Sequence, residues 1–144
     1  MLKKNPNNYK YKKLHKNKIK MKKKNKIKSI MFRFGTYGIK ALENGRLTYN
    51  QIESTRKIIS KKIKKISKIW IRININIPIT TKTSGIRMGR GVGTISYWIT
   101  KIKTGQILFE ISNIKFLFAK NTLISAKKKL AIKTKFVINY KYFI

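Results

Sequence analysis

The sequence predicts an α+β fold, a mainly antiparallel sheet with two helices, behind a basic N-terminal extension that is disordered when alone. Three observations carry this. From Ile69 to Ile77 isoleucines alternate with other residues, the period of two that belongs to a strand with one apolar face. Ile52, Ile59, Ile63 and Ile66 fall at helical spacing, and cations cover the rest of that segment. Further short alternating runs, separated by turn residues, bracket a second helical stretch, an order that suits helices packed against an antiparallel sheet.

Taken in order, Met1 to Lys28 holds no acid and no sustained periodicity, only Lys and Asn with scattered Tyr9, Tyr11, Leu14, Ile19, Met21 and Ile27. Such block-charged segments order on a polyanion, and interleaved tyrosines can stack on splayed bases, so residues 1–28 are expected to thread RNA. Residues 29–144 are expected to form one domain. Ser29 to Ile39 alternates as a strand, with a bend at Gly35 and Gly38. Asn44-Gly45 marks a turn. Thr48 and Gln51 have the capping-box spacing that opens a helix from about Tyr49 to Ile66. The Ile69–Ile77 strand is expected to stop at Pro78. Ile95 to Ile102, a turn at Thr104-Gly105 and Gln106 to Ile111 read as a hairpin. A shorter helix is expected from about Phe118 to Leu130, with Lys127, Lys128 and Lys129 suiting its C-terminal dipole, and a last strand from Ile132 to Ile138.

The charge balance decides the class of partner. Against 37 cations the chain has three acids, Glu43, Glu53 and Glu110, for a net charge of +34. A chain so charged repels itself and needs a polyanion beside it. Nucleic acid fits, because each neutralised phosphate releases condensed counterions with little demand on sequence. The hydrophobic fraction of 42% is too high for a wholly disordered basic tail, so part of the chain buries a core. Cysteine is absent, which excludes disulfides and thiolate metal sites and leaves the redox compartment open. No apolar run has the ~18 residues that a membrane span needs. Lys makes up 31 of the cations and Arg six, and Ile, Asn, Tyr and Phe are abundant, the residue set of an AT-rich genome such as an organelle's. The acid-free start also resembles a mitochondrial transit peptide, although with Lys and Asn in place of Arg and Ser.

Two regions stand out as RNA-facing. On the first helix and just beyond it, Arg56, Lys57, Lys61, Lys62, Lys64, Lys65 and Lys68 crowd together without a compensating acid, which favours a phosphate-facing surface over a solvated one. The loop Thr80 to Thr94 contains Ser84-Gly-Ile-Arg-Met-Gly-Arg-Gly-Val-Gly93. Its glycines permit positive φ and close approach, while Arg87 and Arg90 present planar five-donor groups that bridge phosphates or stack on bases. It is neither a dinucleotide fingerprint nor a phosphate-binding P-loop. Trp70 shares the polar face of its strand with Arg72, where it can stack on RNA or lie under another element of the fold. His15 has no Cys, Asp or second His near it, which points to a phosphate contact in place of metal or base chemistry.

These pieces also resemble a known family, the bacterial-type large ribosomal subunit protein sixteen, in the version that mitochondria encode. Lys10-Tyr-Lys-Lys-Leu-His-Lys16 is similar to the family's basic leading segment, with Lys12, Lys13, His15 and Lys16 as its polar contacts. Phe34 to Ala41 resembles its first strand and Gly45 to Glu53, including Arg46, the opening of its first helix. Lys68 to Arg72 resembles its Trp-containing strand. Pro78 to Lys82 leads to Arg87-Met-Gly-Arg-Gly91, and Tyr97-Trp98 and Ile132 to Val137 complete the order. The resemblance implies a non-enzymatic constituent of the large subunit that binds ribosomal RNA near the peptidyl-transferase region and helps position acceptor-site tRNA. It implies neighbouring ribosomal proteins as partners, no cofactor and no small-molecule substrate, and a place in the mitochondrial ribosome of the matrix. Carried onto this chain, the loop residues are Arg87, Met88, Gly89, Arg90, Gly91 and Gly93, and Lys82, where the chain leads into the loop, is a further expected RNA contact. In some bacterial members the arginine matching Arg87 is hydroxylated. Val92 stands where the family commonly has a second cation, the N-terminal extension is longer and richer in Lys, and Phe116-Leu117-Phe118 replaces a more acidic approach to the second helix.

Two other classes carry the same charge. A basic nucleoid-type DNA packager is the alternative, although it seldom needs a long glycine-rich loop between strands. A membrane-surface peptide would also be rich in lysine, but the strand content argues against it. An enzyme is disfavoured because one His and three Glu, without Asp or Cys, provide no adjacent acid–base pair.

Overall fold

The computed structural model describes residue 6 and residues 13–15, 31–63 and 66–140. Among the described residues seven strands and two helices follow in the order β1 (Tyr37–Ala41), β2 (Gly45–Thr48), α1 (Tyr49–Ile63), β3 (Ile69–Ile71), β4 (Ile77–Thr81), β5 (Thr94–Ile102), β6 (Ile107–Ile111), α2 (Phe116–Lys127) and β7 (Thr134–Ile138). The strands make two antiparallel sheets, one in the order β3-β6-β1-β7 and the other β2-β5-β4. This is the α+β class that the alternation and helical spacing predict.

One core joins both sheets and both helices. Ile39, Leu108, Phe109 and Ile111 come from the first sheet, Leu47, Trp98 and Ile102 from the second, and Ile52, Ile59, Ile63, Ala119, Leu123 and Ala126 from the helices. α1 forms because its apolar residues fall on one face and its start is capped. The Thr48 amide donates to Gln51 Oε1 at 3.0 Å, and the Gln51 amide donates to Thr48 Oγ1 at 3.4 Å, satisfying two donors that a helix start leaves open. The helix ends at Ile63, earlier than the spacing predicts. Ile66 lies in a bend and is 70% exposed, so it does not extend the stripe.

The strand pairing corrects the sequence reading at several points. The isoleucine alternation does hold in burial, since Ile73 and Ile75 are buried while Asn74 and Asn76 are exposed. The hydrogen bonding does not continue with it. The Arg72 amide still donates to Leu108 of β6 at 2.9 Å, but the Asn76 amide donates to Ile99 of β5 at 3.3 Å, so the chain changes sheets within one alternating run. Pro78 therefore sits inside β4, opposite Trp98, and does not end the strand. β4 is an edge strand, where a residue lacking an amide proton is tolerated. Likewise β5 and β6 do not pair as a hairpin. The turn between them, with Gly105 at φ +85°, carries the chain from one sheet to the other and bonds instead to the end of β1 through Gly105 N–H to Ala41 O at 2.8 Å. α2 starts two residues before the predicted Phe118 and ends at Lys127, with Leu130 buried just beyond it. β7 begins at Thr134 in place of Ile132.

The largest departure lies before β1. Residues 31–36 are irregular and wrap around the carboxylate of Glu110, which is fully buried. Glu110 Oε2 accepts the amides of Phe34 and Gly35 at 2.8 and 2.9 Å, the Arg33 amide lies 3.3 Å from both oxygens, and the Arg72 guanidinium forms an ion pair with Oε1. A side chain at residue 35 would meet Glu110 Cβ and the Ile111 carbonyl oxygen, each at 2.8 Å, so only glycine lets this segment close on the strand. Residues 29 and 30, the start of the predicted strand, lie outside the described residues.

Replacing Glu110 with Ala should therefore leave the largely buried Arg72 guanidinium without its counter-ion and three amides without their acceptor, at a cost of about 3–5 kcal/mol. Urea unfolding of the purified protein at fixed salt reads this directly; a loss under about 1 kcal/mol, the scale of an exposed pair, would contradict the arrangement.

Candidate nucleic-acid interface

The three carboxylates are all engaged within the fold. Glu110 holds Arg72 and the 33–35 amides. Glu53 pairs with Arg56 one turn along α1, with Oε1 2.6 Å from Nη2. Glu43 accepts the Lys133 amide at 2.7 Å, fastening the β1–β2 turn to the start of β7. The hydrogen bond from Arg56 holds the Glu53 carboxyl below its usual value against the opposing effect of burial, and the same bond raises Arg56.

This pair and the Glu110 pair change how two predicted cations are used. Arg56 and Arg72 each point at an internal carboxylate, and the Arg72 guanidinium also donates to the Met31 carbonyl at 3.4 Å. Trp70 packs in part against another element of the fold. Half-buried on β3, it stacks on Phe34 at 5.8 Å and 16°, with the Arg33 and Arg72 guanidinium carbons 5.2 and 5.8 Å from the Phe34 ring centre. Nothing in the sequence pairs Phe34 with Trp70. Glu110, as the one charge in the apolar run Ile107–Ile111, carried a signal that spacing rules overlooked.

The glycine and arginine loop stands out from the second sheet between β4 and β5. Every residue from Thr81 to Val92 is exposed, Met88 most of all at 95%. Gly85, Gly89 and Gly91 take φ of +85°, +106° and +71°, and a Cβ on any of them would find nothing within 4 Å. Gly93 is different: a side chain there would strike the Thr81 carbonyl where the loop closes back on β4. Arg87 and Arg90 are exposed, and Lys82, Ile86 and Arg90 border a cleft of about 260 Å³ inside the loop. At the loop's root, Lys13 donates from Nζ to the Val92 carbonyl at 2.9 Å, and Lys13 and His15 lie beside Ile79 and Thr80. The structure thus brings Lys13, His15, Lys82 and residues 87–93 into one region.

A second basic region lies where the helices meet. Lys61 and Lys62 are exposed on the last turn of α1, and Lys62 Nζ donates to Ser125 Oγ of α2 at 2.7 Å. Exposed Lys128 and Lys129 follow a few residues after Ser125, so cations read from sequence only as dipole partners adjoin the predicted lysines. Arg46 is half-buried on β2, opposite Lys101. Lys12, Lys16, Lys64 and Lys65 lie outside the described residues. Among the described residues no group of three His, Cys, Asp or Glu could hold a metal, and no helix is long and apolar enough to cross a membrane.

A two-sheet α+β domain that uses its acids internally and leaves most of its described lysines and the loop arginines facing outward is suited to hold a polyanion. Its residues 6–137 match the family described as Ribosomal protein L16p/L10e. The chain belongs to that family, and it is a structural ribosomal protein, not an enzyme. It is 41% identical over 132 residues to the large ribosomal subunit protein uL16 of Gluconacetobacter diazotrophicus, covering 92% of this chain and 94% of the relative. It is 41% identical over 133 residues to the protein of the same name from Buchnera aphidicola subsp. Cinara cedri, with the same coverage. The family match starts at residue 6, so much of the basic segment before residue 29 lies within the matched span. Membership decides against the DNA-packaging alternative.

Because the folded Glu53 carboxyl lies below its unfolded value, its contribution is fully present above the unfolded value and fades as pH falls through the folded one. The stability difference between wild type and Glu53→Gln should be about 0.2–0.5 kcal/mol near neutral pH and shrink on acidification below pH ~4. Thermal unfolding across that range checks it, and a difference that grows in acid would refute the sign.

Proposed function

We propose that this ribosomal protein is a constituent of the large subunit that binds ribosomal RNA close to the peptidyl-transferase and acceptor-tRNA region. There it helps position acceptor-site tRNA, and its ribosome is mitochondrial. The observation that carries the proposal is the exposed loop with Arg87 and Arg90, held at its root and free of carboxylates at its tip. Lysines on the leading segment and at the helix ends would neutralise phosphates and fix register, and the loop guanidiniums would add local recognition. Trp70 and Arg72, half-buried on and beside the edge strand β3, would add RNA contacts at the margin of the first sheet. The names of the two bacterial relatives support the large-subunit part of this reading. The mitochondrial setting rests on the Lys, Ile and Asn bias of the sequence. Neighbouring ribosomal proteins are the other expected contacts, together with the basic leading segment, Lys12 and Lys16 included.

Arg87→Ala should lower translation per cell severalfold while leaving the protein in the large-subunit peak of a sedimentation gradient, since one lost contact costs about 1–3 kcal/mol among many. RNase treatment should release wild type and variant alike from that peak. A variant missing from the subunit, with normal translation per assembled ribosome, would refute the role given to the loop.

A further inference from the structure

The leading segment and the loop root border a cleft within this basic region. Leu14, Pro78, Ile79 and Val92 form its apolar walls, while Lys13, His15 and Thr80 supply polar groups, around a volume of about 200 Å³. That is smaller than the ~300–1,000 Å³ of sites that enclose a drug-sized ligand, yet ample for one planar heterocycle. The β4–β5 register shifts between Ile79 and Thr80, and such bulges re-aim side chains beside binding sites. Lys13 gives one of its three protons to the Val92 carbonyl, which leaves two for an anion at the mouth of the cleft. No carboxylate lines the cleft.

We propose that this cleft receives one unpaired RNA base. The apolar walls take the base's faces, the Thr80 hydroxyl and His15 imidazole bond its edge, and Lys13 holds the adjoining phosphate. RNA is read by side chains chiefly where bases are splayed out of a helix, and hydroxyl and imidazole groups can each donate or accept. Lys13 then has two tasks, bracing the loop root through Val92 and fixing the nucleotide beside it. The inference rests on the large-subunit assignment and adds a nucleotide-sized site to it.

Ultraviolet cross-linking of native large subunits needs no variant. Peptides carrying residues 13–15 or 78–80 should be joined to a single nucleotide. In subunits carrying Leu14→Trp, which fills the cleft, that base should gain reactivity toward dimethyl sulfate. Thr80→Val should raise its reactivity about two- to tenfold, the worth of one hydrogen bond. If the protein is present in large subunits but neither segment cross-links to RNA and Leu14→Trp leaves every base unchanged, the cleft assignment is wrong and the large-subunit assignment stands. Cross-links from these segments to a neighbouring protein in place of RNA would overturn the cleft assignment as well. Absence of the chain from large subunits would overturn both.

Discussion

A buried carboxylate costs several kcal/mol to desolvate unless its oxygens are fully engaged, and the Glu110 side chain meets that condition by gathering distant parts of the chain. Its partners are the amides of residues 33–35 and the Arg72 guanidinium, which lie on opposite sides of the helix α1 in sequence. To reach them, the segment before β1 must curl over β6 and the chain after β3 must turn its arginine inward. Phe34 is thereby laid on Trp70, and Gly35 is pressed against the backbone of β6. The next bonds continue the same closure, with the Thr36 amide donating to Ile111 at 3.0 Å and the Asn139 amide to Thr36 at 2.8 Å. One anion in a strongly cationic chain thus sets the path of the leading segment, the edge of the first sheet and the seating of the last strand.

The same economy of acids shapes the exterior. Glu43 closes the β1–β2 turn and Glu53 quiets an arginine on α1, so each carboxylate is committed to a named internal partner. Intramolecular pairing cannot relieve the remaining positive charge. It must be met from outside the chain, and the salt-screened, additive chemistry of phosphate contacts meets it with little demand on geometry.

What could be read from sequence was periodicity, and periodicity reports faces, not partners. Ile73 and Ile75 are inward as their spacing requires, yet the same run leaves β6 and joins β5, because alternation is identical whichever neighbour supplies the hydrogen bonds. The hairpin expected across Gly105 fails for the same reason: a short turn permits pairing but does not compel it when each strand has better neighbours on both sides. Capping was legible in full because Thr48 and Gln51 act over three residues. The Glu110 network was not, because its members lie 38 to 77 residues apart and no local rule links them. The few arginines were a useful but ambiguous signal. Arg56 forks onto a carboxylate, a geometry that lysine cannot reproduce, and Arg72 spans Glu110 and the Met31 carbonyl, whereas Arg87 and Arg90 face solvent, so arginine marks planar recognition inside the fold as well as outside it.

Glycine resolves that ambiguity where arginine cannot. Gly35 and Gly93 are small because the chain's own atoms occupy the space a side chain would need. The loop glycines answer to no such crowding: three adopt left-handed backbone with nothing near them, a conformation that packing within the chain does not enforce. Holding guanidiniums on a turn of that shape, in a region without carboxylates, raises the energy of the free protein through like-charge repulsion and lowers it only when an anion arrives. The root is fixed by Lys13 and the strand bulge while the tip glycines have open space around them, so the tip can conform to a phosphate surface without disturbing the sheet that carries it.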